Sequence, residues 1–264
     1  MDTQFSSEAA VLPSVAGPMY DNAVLGASSP VLASPHGEAV YVDFLPRERD
    51  ERLNRVFNII VAGVALLVLS PLLIVVALAV RFTSPGPVFY RQSRIGHDRR
   101  RPRPGDAAPV YDRRACNLGG RPFSILKFRT MTVNAEGRCG VVWAQKHDPR
   151  VTALGRLLRK TRLDEVPQLL NVLRDDMNIV GPRPERPSIF ARLRRDIREY
   201  ALRQRAKPGI TGLAQINHSY DASVDDVRVK VRYDLEYLRR QSLIEDMRIM
   251  LLTLPVIVFR KGGW

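Results

Sequence analysis

Apolar and polar positions divide the chain into stretches with different periods. Residues 1–46 show no sustained period; they are rich in Ser, Pro, Ala and Gly, hold no Lys or Arg, and carry acids such as Asp2, Glu8, Glu38 and Asp43. Such a stretch buries too little apolar surface to offset the entropy of ordering, which predicts a disordered acidic tail. From Val56 to Val80 the chain reads VFNIIVAGVALLVLSPLLIVVALAV, with no ionisable group, between Arg52 and Arg55 on one side and Arg81 on the other. An uncharged run beyond about 18 residues enters lipid, since roughly 20 residues at 1.5 Å each cover a hydrocarbon core of about 30 Å.

Ser70 and Pro71 interrupt that run near its middle. Proline removes a backbone donor and clashes with the carbonyl four residues earlier, here Leu67, at a cost of about 3 kcal/mol in a helix interior. A neighbouring serine hydroxyl repairs part of the loss by bonding a freed carbonyl, so the helix is expected to bend there and survive. The two halves would extend only about 21 and 15 Å. Arginines flank both ends: Arg47, Arg49, Arg52 and Arg55 before the run, and Arg81, Arg91, Arg94 and Arg99 to Arg101 after it. Under the positive-inside rule both flanks belong in the cytoplasm, which a re-entrant helical hairpin satisfies and a straight crossing does not. A kinked single-pass helix is the competing reading.

Beyond the turn signal Thr83-Ser84-Pro85-Gly86-Pro87 the periods shorten. Val88 to Tyr90 and the alternating Pro122 to Arg129 predict short strands. Between them His97 to Leu118, with six Arg and three Asp, reads as a basic Pro- and Arg-rich surface loop. Helices are expected over Thr152–Leu158, from Asp164 to Leu173, over Ile189–Arg203 and over Ser223–Arg240. Asp164 suits the N-cap of the second, with Pro167 in its first turn. Turns are expected at Gly181-Pro182-Arg183-Pro184 and Lys207-Pro208-Gly209. Ile249 to Phe259 is uncharged but too short to span, which fits a core helix or an amphipathic segment at the membrane interface, anchored by Arg260, Lys261 and Trp264. The resulting class is α+β, mainly helical.

Charge sharpens this. The chain has 41 Lys+Arg against 27 Asp+Glu, a net charge of +14, and only Lys127, Lys146, Lys160, Lys207, Lys230 and Lys261 among the cations are lysines. The planar fork of arginine grips phosphate oxygens in pairs, so the bias fits nucleic acid, an anionic membrane or a diphosphate substrate, although a GC-rich genome gives the same composition. At 7% aromatic residues the chain lacks the stacking platforms of a nucleic-acid binder, and a lipid-embedded segment has no place in one. Cys116 and Cys139 alone support neither a disulfide scaffold nor a four-cysteine zinc site.

No dinucleotide fingerprint, P-loop, HExxH or GxSxG occurs, so chemistry falls to carboxylates and guanidinium groups. Asp164 and Glu165 are adjacent acids behind Arg156, Arg159, Lys160 and Arg162. That pairing suits a nucleophile beside a magnesium ligand, and equally a capping Asp with a first-turn Glu. Lys127 and Arg129 alternate with Phe128, and Arg183 sits in a Pro-Arg-Pro corner; each can hold a phosphate oxygen or remain a solvated cation.

Taken in order, several segments resemble the bacterial sugar transferases, the monotopic phosphoglycosyl transferases. They are Ser70-Pro71, Arg91-Gln92-Ser93-Arg94-Ile95-Gly96, Lys127-Phe128-Arg129-Thr130-Met131, the run Asp164-Glu165-Val166-Pro167-Gln168-Leu169-Leu170-Asn171-Val172-Leu173, Asp176-Met177, Val180-Gly181-Pro182-Arg183-Pro184, and Pro208-Gly209-Ile210-Thr211-Gly212-Leu213-Ala214-Gln215. The resemblance covers the chain from about residue 50 onward. It implies transfer of a sugar 1-phosphate from a UDP-sugar to undecaprenyl phosphate with release of UMP, through a covalent phosphosugar on Asp164, with Glu165 binding Mg2+. Lys127, Arg129, Arg159, Arg183 and Arg203 would then neutralise phosphate charge. Members of the family commonly carry glycine where this chain has Arg174-Asp175, and serine at Asn178; the 97–118 loop is longer than their turn.

The implied organisation is a tail (1–46), a re-entrant membrane segment (47–96), a loop insertion (97–118), a small cytosolic catalytic domain (119–242) and an interfacial segment (243–264), on the cytoplasmic face of a bacterial inner membrane. The implied products are exopolysaccharide, capsule, O-antigen or glycoprotein glycans. Partners are the donor, the lipid acceptor and the phospholipid membrane, with no nucleic acid; homo-oligomers and downstream glycosyltransferases stand as further expectations. A basic membrane-surface scaffold without chemistry is the alternative reading.

Overall fold

A computed structural model describes residues 46–99, 119–133, 148–218 and 223–259. The expected tail, nearly all of the basic loop insertion, both cysteines and the terminal Arg260, Lys261 and Trp264 lie outside the described residues. The described elements are α1 (Glu51–Thr83), β1 (Phe89–Ile95), β2 (Pro122–Phe128), α2 (Ala153–Lys160), a 3-10 helix (Leu163–Gln168), α3 (Leu169–Leu173), β3 (Asn178–Val180), α4 (Pro187–Asp196), a second 3-10 helix (Arg198–Arg205), β4 (Gly209–Thr211), α5 (Leu213–Asn217), α6 (Val224–Arg240) and α7 (Leu243–Phe259). The fold is mostly helical with two small sheets, β1–β2 antiparallel and β3–β4 parallel.

Helix α1 is one continuous element of 33 residues with Pro71 inside it, long and apolar enough to cross a membrane. The repair expected at its centre is present: Ser70 Oγ donates to Leu67 O at 2.8 Å, the carbonyl that Pro71 deprives of its partner. Burial along the helix is confined to its ends. Asn54, Asn58 and Ala62 are buried at one end, Val76 and Val80 at the other, and no residue from 63 to 75 is buried. At the first end Arg55 donates to Val172 O and Leu173 O, at 2.5 and 2.7 Å, and so binds the C-terminal carbonyls of α3. Asn58, the polar interruption in an apolar run, accepts from Ile179 N at 2.6 Å and so fixes α1 to β3. At the second end Val76 and Val80 pack with Phe128 and Leu158, with Leu163 against the same cluster. Both ends of α1 therefore dock on one folded unit.

The approach to α1 is anchored as well: Arg47 N donates to Leu238 O at 2.9 Å, and Gln241 Nε2 donates to Arg47 O at 2.7 Å. A second core cluster joins Ile95, Phe190, Leu193, Ile197, Tyr200, Val227 and Val231, seating α4 and α6 on β1.

Local chemistry explains most boundaries. Thr152 caps α2, accepting from Gly155 N at 2.9 Å, and Ser223 with Asp226 forms a reciprocal capping box at the start of α6. The single helix expected over 189–203 is two elements, because Ile197 takes an extended conformation (φ −130°, ψ 108°) between α4 and the 3-10 turn. The turns expected at 181–184 and 207–209 border strands β3 and β4, which are too short for a period to register. After α3 the chain closes with Asp175 N to Val172 O and Asp176 N to Asn171 O, the paired bonds of a Schellman ending, and Asp175 takes φ 68°. This is the place where the family's glycine is expected, since the left-handed region favours that residue. Here Asp175 instead ion-pairs with Lys207 (2.7 Å), Arg55 (3.3 Å) and Arg99 (3.5 Å).

Candidate active site

Asp164 and Glu165 do not begin an α-helix. Arg162, in the left-handed conformation (φ 60°), leads into the 3-10 turn Leu163–Gln168, with no side-chain cap, and both acids sit inside that turn. Pro167 lies inside this turn and contributes no backbone donor to it. Leu163 is drawn into the cluster under α1, and Asp164 and Glu165 follow it into the protein, only 7% and 9% exposed.

Glu165 meets cations on two sides. Lys127 Nζ, from β2, donates to Oε1 at 2.6 Å; Arg183 Nη2 donates to the same oxygen at 2.7 Å and Nη1 to Oε2 at 3.4 Å. Arg162 stands 3.9 Å from Oε2. Burial alone would raise this carboxyl, but Arg183 and then Lys127 hold it well below its usual range. Asp164 behaves oppositely. Its Oδ1 is buried without a hydrogen-bond partner, and burial, followed by the adjacent charge of Glu165, raises its pKa against the pull of Lys127, Arg159 and Arg162. The two carboxylates are thus differentiated: one locked by cations, the other buried beside cations with a bare oxygen.

Arg159 reaches this place through α2. A Cβ at Gly155 would lie 2.1 Å from Thr130 O, so only glycine lets α2 approach the end of β2 this closely. Arg159 Nε then donates to Thr130 Oγ1 at 3.0 Å, leaving the guanidinium to act on Asp164.

Of the expected phosphate-binding cations, Lys127, Arg159 and Arg183 converge on the dyad; Arg129 and Arg203 are engaged elsewhere. Arg129 Nη2 donates to Ser84 O (2.6 Å), Ser84 Oγ (2.8 Å) and Val80 O (3.3 Å), fastening β2 to the end of α1. Alternation with Phe128 suggested a face shared with Lys127, but β2 ends at Phe128 and the strand period no longer governs Arg129. Arg203 is buried and grips Asp234, with Nε at 2.9 Å and Nη2 at 2.7 Å. Asn171 is a structural contact near the site that the motif contained and residue-level reasoning passed over. Fully buried, it accepts from Leu126 N at 3.0 Å and donates to Ser124 O at 2.8 Å, tying α3, which follows the dyad's turn directly, to β2. Its signal is a lone amide inside the apolar run Leu169–Leu173.

No group of three or more His, Cys, Asp or Glu suited to a metal ion occurs among the described residues. A magnesium ion would have the bare Asp164 Oδ1 and, in competition with Lys127 and Arg183, the oxygens of Glu165. That donor set matches an ion that takes one or two carboxylates and completes its shell with water and substrate phosphates.

The "Bacterial sugar transferase" family model matches residues 49–260. Among curated relatives, the UDP-glucose:undecaprenyl-phosphate glucose-1-phosphate transferase of Caulobacter vibrioides is 38% identical over 83% of this chain and 75% of its own. A UDP-N-acetylgalactosamine-undecaprenyl-phosphate N-acetylgalactosaminephosphotransferase of Aeromonas hydrophila is 37% identical over 80% of this chain, which spans 45% of that protein. The exopolysaccharide production protein ExoY of Sinorhizobium fredii is 34% identical over 80% of this chain and 88% of its own. The matched region holds the dyad, its three converging cations and the whole of α1, and on this footing the chain belongs to the bacterial sugar transferase family.

Proposed function

We propose that this protein transfers a sugar 1-phosphate from a UDP-sugar to undecaprenyl phosphate, releasing UMP, in two displacements at Asp164. In the first, a carboxylate oxygen of Asp164 attacks the sugar-proximal phosphorus. The bond from that phosphorus to the bridging oxygen breaks, and UMP leaves with the electron pair. In the second, an oxygen of the lipid phosphate attacks the same phosphorus, the bond to Asp164 breaks, and the carboxylate is regenerated. Covalent catalysis lets one site take a soluble donor and a membrane-bound acceptor in turn. The observation that carries this reading is the asymmetric dyad: Asp164 has a buried, unpartnered oxygen, while Glu165 holds Lys127 and Arg183 where phosphate oxygens must sit. Preorganised cations of this kind are the largest lever a protein has on phosphoryl transfer.

Magnesium belongs to the same proposal. Held by Asp164 and Glu165, it would supply positive charge to the diphosphate; alignment and counter-charge otherwise come from Lys127, Arg159 and Arg183. Incubation with a panel of UDP-sugars and undecaprenyl phosphate should release UMP with at least one donor, and only when the acceptor is present for repeated turnover. Silence across the panel would favour the scaffold reading. The two sugars in the relatives' names leave donor choice to that assay.

The nucleophile must be ionised, so acidity should suppress the rate. Because burial and Glu165 raise the Asp164 pKa above its ordinary 3.8, activity should be complete above the shifted value and fall as pH drops through it. A pH–rate profile checks this; an acid limb at or below the ordinary carboxyl range would contradict it.

The membrane part of the proposal is a re-entrant α1 on the cytoplasmic face of the inner membrane, holding the dyad level with lipid phosphates. Its support is the docking of both ends on one unit, the stretch 63–75 around the Ser70–Leu67 bond in which no residue is buried, and Leu163 packed beneath α1 immediately before Asp164. Ile244, Met247, Leu251 and Leu254 form an exposed stripe on α7 that would lie in the interface. Tags placed before residue 50 and within the 97–118 loop should both be protected in sealed, right-side-out cells. Labelling of either from outside would favour a crossing helix.

A further inference from the structure

Arg183 is the cation that grips Glu165 at two points, and the loop carrying it is held by four successive backbone carbonyls. Pro182 O accepts from Gly209 N at 3.0 Å, and Arg183 O from Arg203 Nη2 at 3.1 Å. Pro184 O accepts from Arg94 Nη1 at 2.9 Å, and Glu185 O from Ile95 N at 2.9 Å. Pro182 and Pro184 have fixed φ on either side, so little freedom remains except in the Arg183 side chain.

The anchor at Arg183 O is itself fixed by charge. Arg203 presents Nε and Nη2 to Asp234 of α6 and Nη1 to Tyr200 OH at 2.9 Å, with its guanidinium 5.0 Å from the centre of the Tyr200 ring. Glu185 lies 3.6 Å from Lys230, 3.7 Å from Arg203 and 3.8 Å from Arg94. Arg203 and Asp234 side chains are 4% and 2% exposed. A buried ion network is weak evidence for stability, since apolar residues of similar volume often serve as well; in some proteins such networks instead fix a geometry. Here that geometry ends on the backbone of Arg183.

We propose that Asp234 and Arg203 are positioning residues for the transfer: through Arg203 Nη2 they set the Arg183 backbone, and with it the guanidinium that holds Glu165 and the donor phosphates. This assigns Arg203 to orienting another arginine instead of touching phosphate, and gives α6 a positioning part from outside the site. The inference rests on the transferase reading above.

A double-mutant cycle on the full-length enzyme in lipid nanodiscs tests it, with UMP release as the readout. Asp234→Asn keeps an oxygen for Arg203 but loses the charge that fixes its fork; kcat should fall about tenfold to a hundredfold, a magnitude typical of small misplacement in a site, with the donor KM nearly unchanged. Arg183→Lys keeps a cation and a measurable rate, while its flexible single-point contact needs no rigid loop. In that background Asp234→Asn should cost less than about twofold. If both backgrounds lose the same factor, Asp234 acts on the fold at large and the proposal is overturned, as it is if Asp234→Asn turns over like wild type. Should Asp234→Asn fail to fold, Tyr200→Phe, which removes only the hydroxyl on Arg203 Nη1, goes through the same cycle with the same criterion. Wild-type enzyme that releases no UMP would count against the transferase reading instead.

Discussion

Asp164→Asn should lower UMP release by at least about four orders of magnitude, the scale on which loss of a covalent nucleophile registers. The substitution keeps size and burial but removes the charge and halves the number of carboxyl oxygens. The fold should tolerate it well. Oδ1 makes no hydrogen bond that folding relies on, and a neutral amide next to Glu165 relieves the repulsion that raises the Asp164 pKa. Thermal unfolding should therefore occur at or above the wild-type temperature. This opposition of lost activity and retained stability separates a catalytic carboxylate from a structural one. A purified Asp164→Asn enzyme that works at the wild-type rate would remove the nucleophile assignment, whatever its stability.

Glu165→Gln should fail in a different way, losing both stability and rate. The Glu165 carboxylate is the counter-charge for Lys127 and Arg183, and the three side chains are 11%, 16% and 28% exposed. Removing one partner of a buried pair strands the others, at a cost of about 3 kcal/mol for a site this enclosed. The sign with pH follows from the depressed carboxyl: its contribution is present above the unfolded value of 4.5 and is lost as pH falls through the lower folded value. The stability gap between wild type and variant should accordingly be widest at neutral pH and close on acidification. Turnover should drop about a hundredfold as Lys127 and Arg183 lose their fixed positions. The acid limb of the residual activity should also move down, because Glu165 no longer raises the pKa of Asp164. Chemical denaturation across pH and a pH–rate profile of the variant check both halves; unchanged stability with an unmoved acid limb would contradict the role given to Glu165.

How far the residues announced these arrangements depends on the range of the physics involved. Local rules were legible. The Ser70–Pro71 repair is found as expected, and the helices expected from Thr152 and Ser223 begin there because each of those side chains caps the turn that follows, within a few residues. Tertiary rules were not. Asp164 as an N-cap is good local chemistry, but Leu163 is pulled under α1 and Arg162 turns left-handed, which winds the acids into a 3-10 turn. Arg129 and Arg203 look like their neighbours in sequence, and nothing local shows that one caps α1 while the other is buried against Asp234, 31 positions away. Strands β3 and β4 are three residues each, below the length at which alternation can be read. The dyad stood out as adjacent acids behind a run of cations, but motif order was needed to raise it above a routine pair of acids near a helix start. What the fold adds is their difference in environment, which separates the role of one carboxylate from that of the other.

The central claim is that the Asp164 carboxylate itself takes the phosphosugar. Intact protein incubated with magnesium and a labelled UDP-sugar, with undecaprenyl phosphate withheld, should gain the mass of one sugar phosphate. Peptide mapping should place that mass on Asp164, and addition of the lipid acceptor should discharge it. Full catalytic turnover by enzyme that never carries this mass under any quench, or carries it on another residue, would contradict the account.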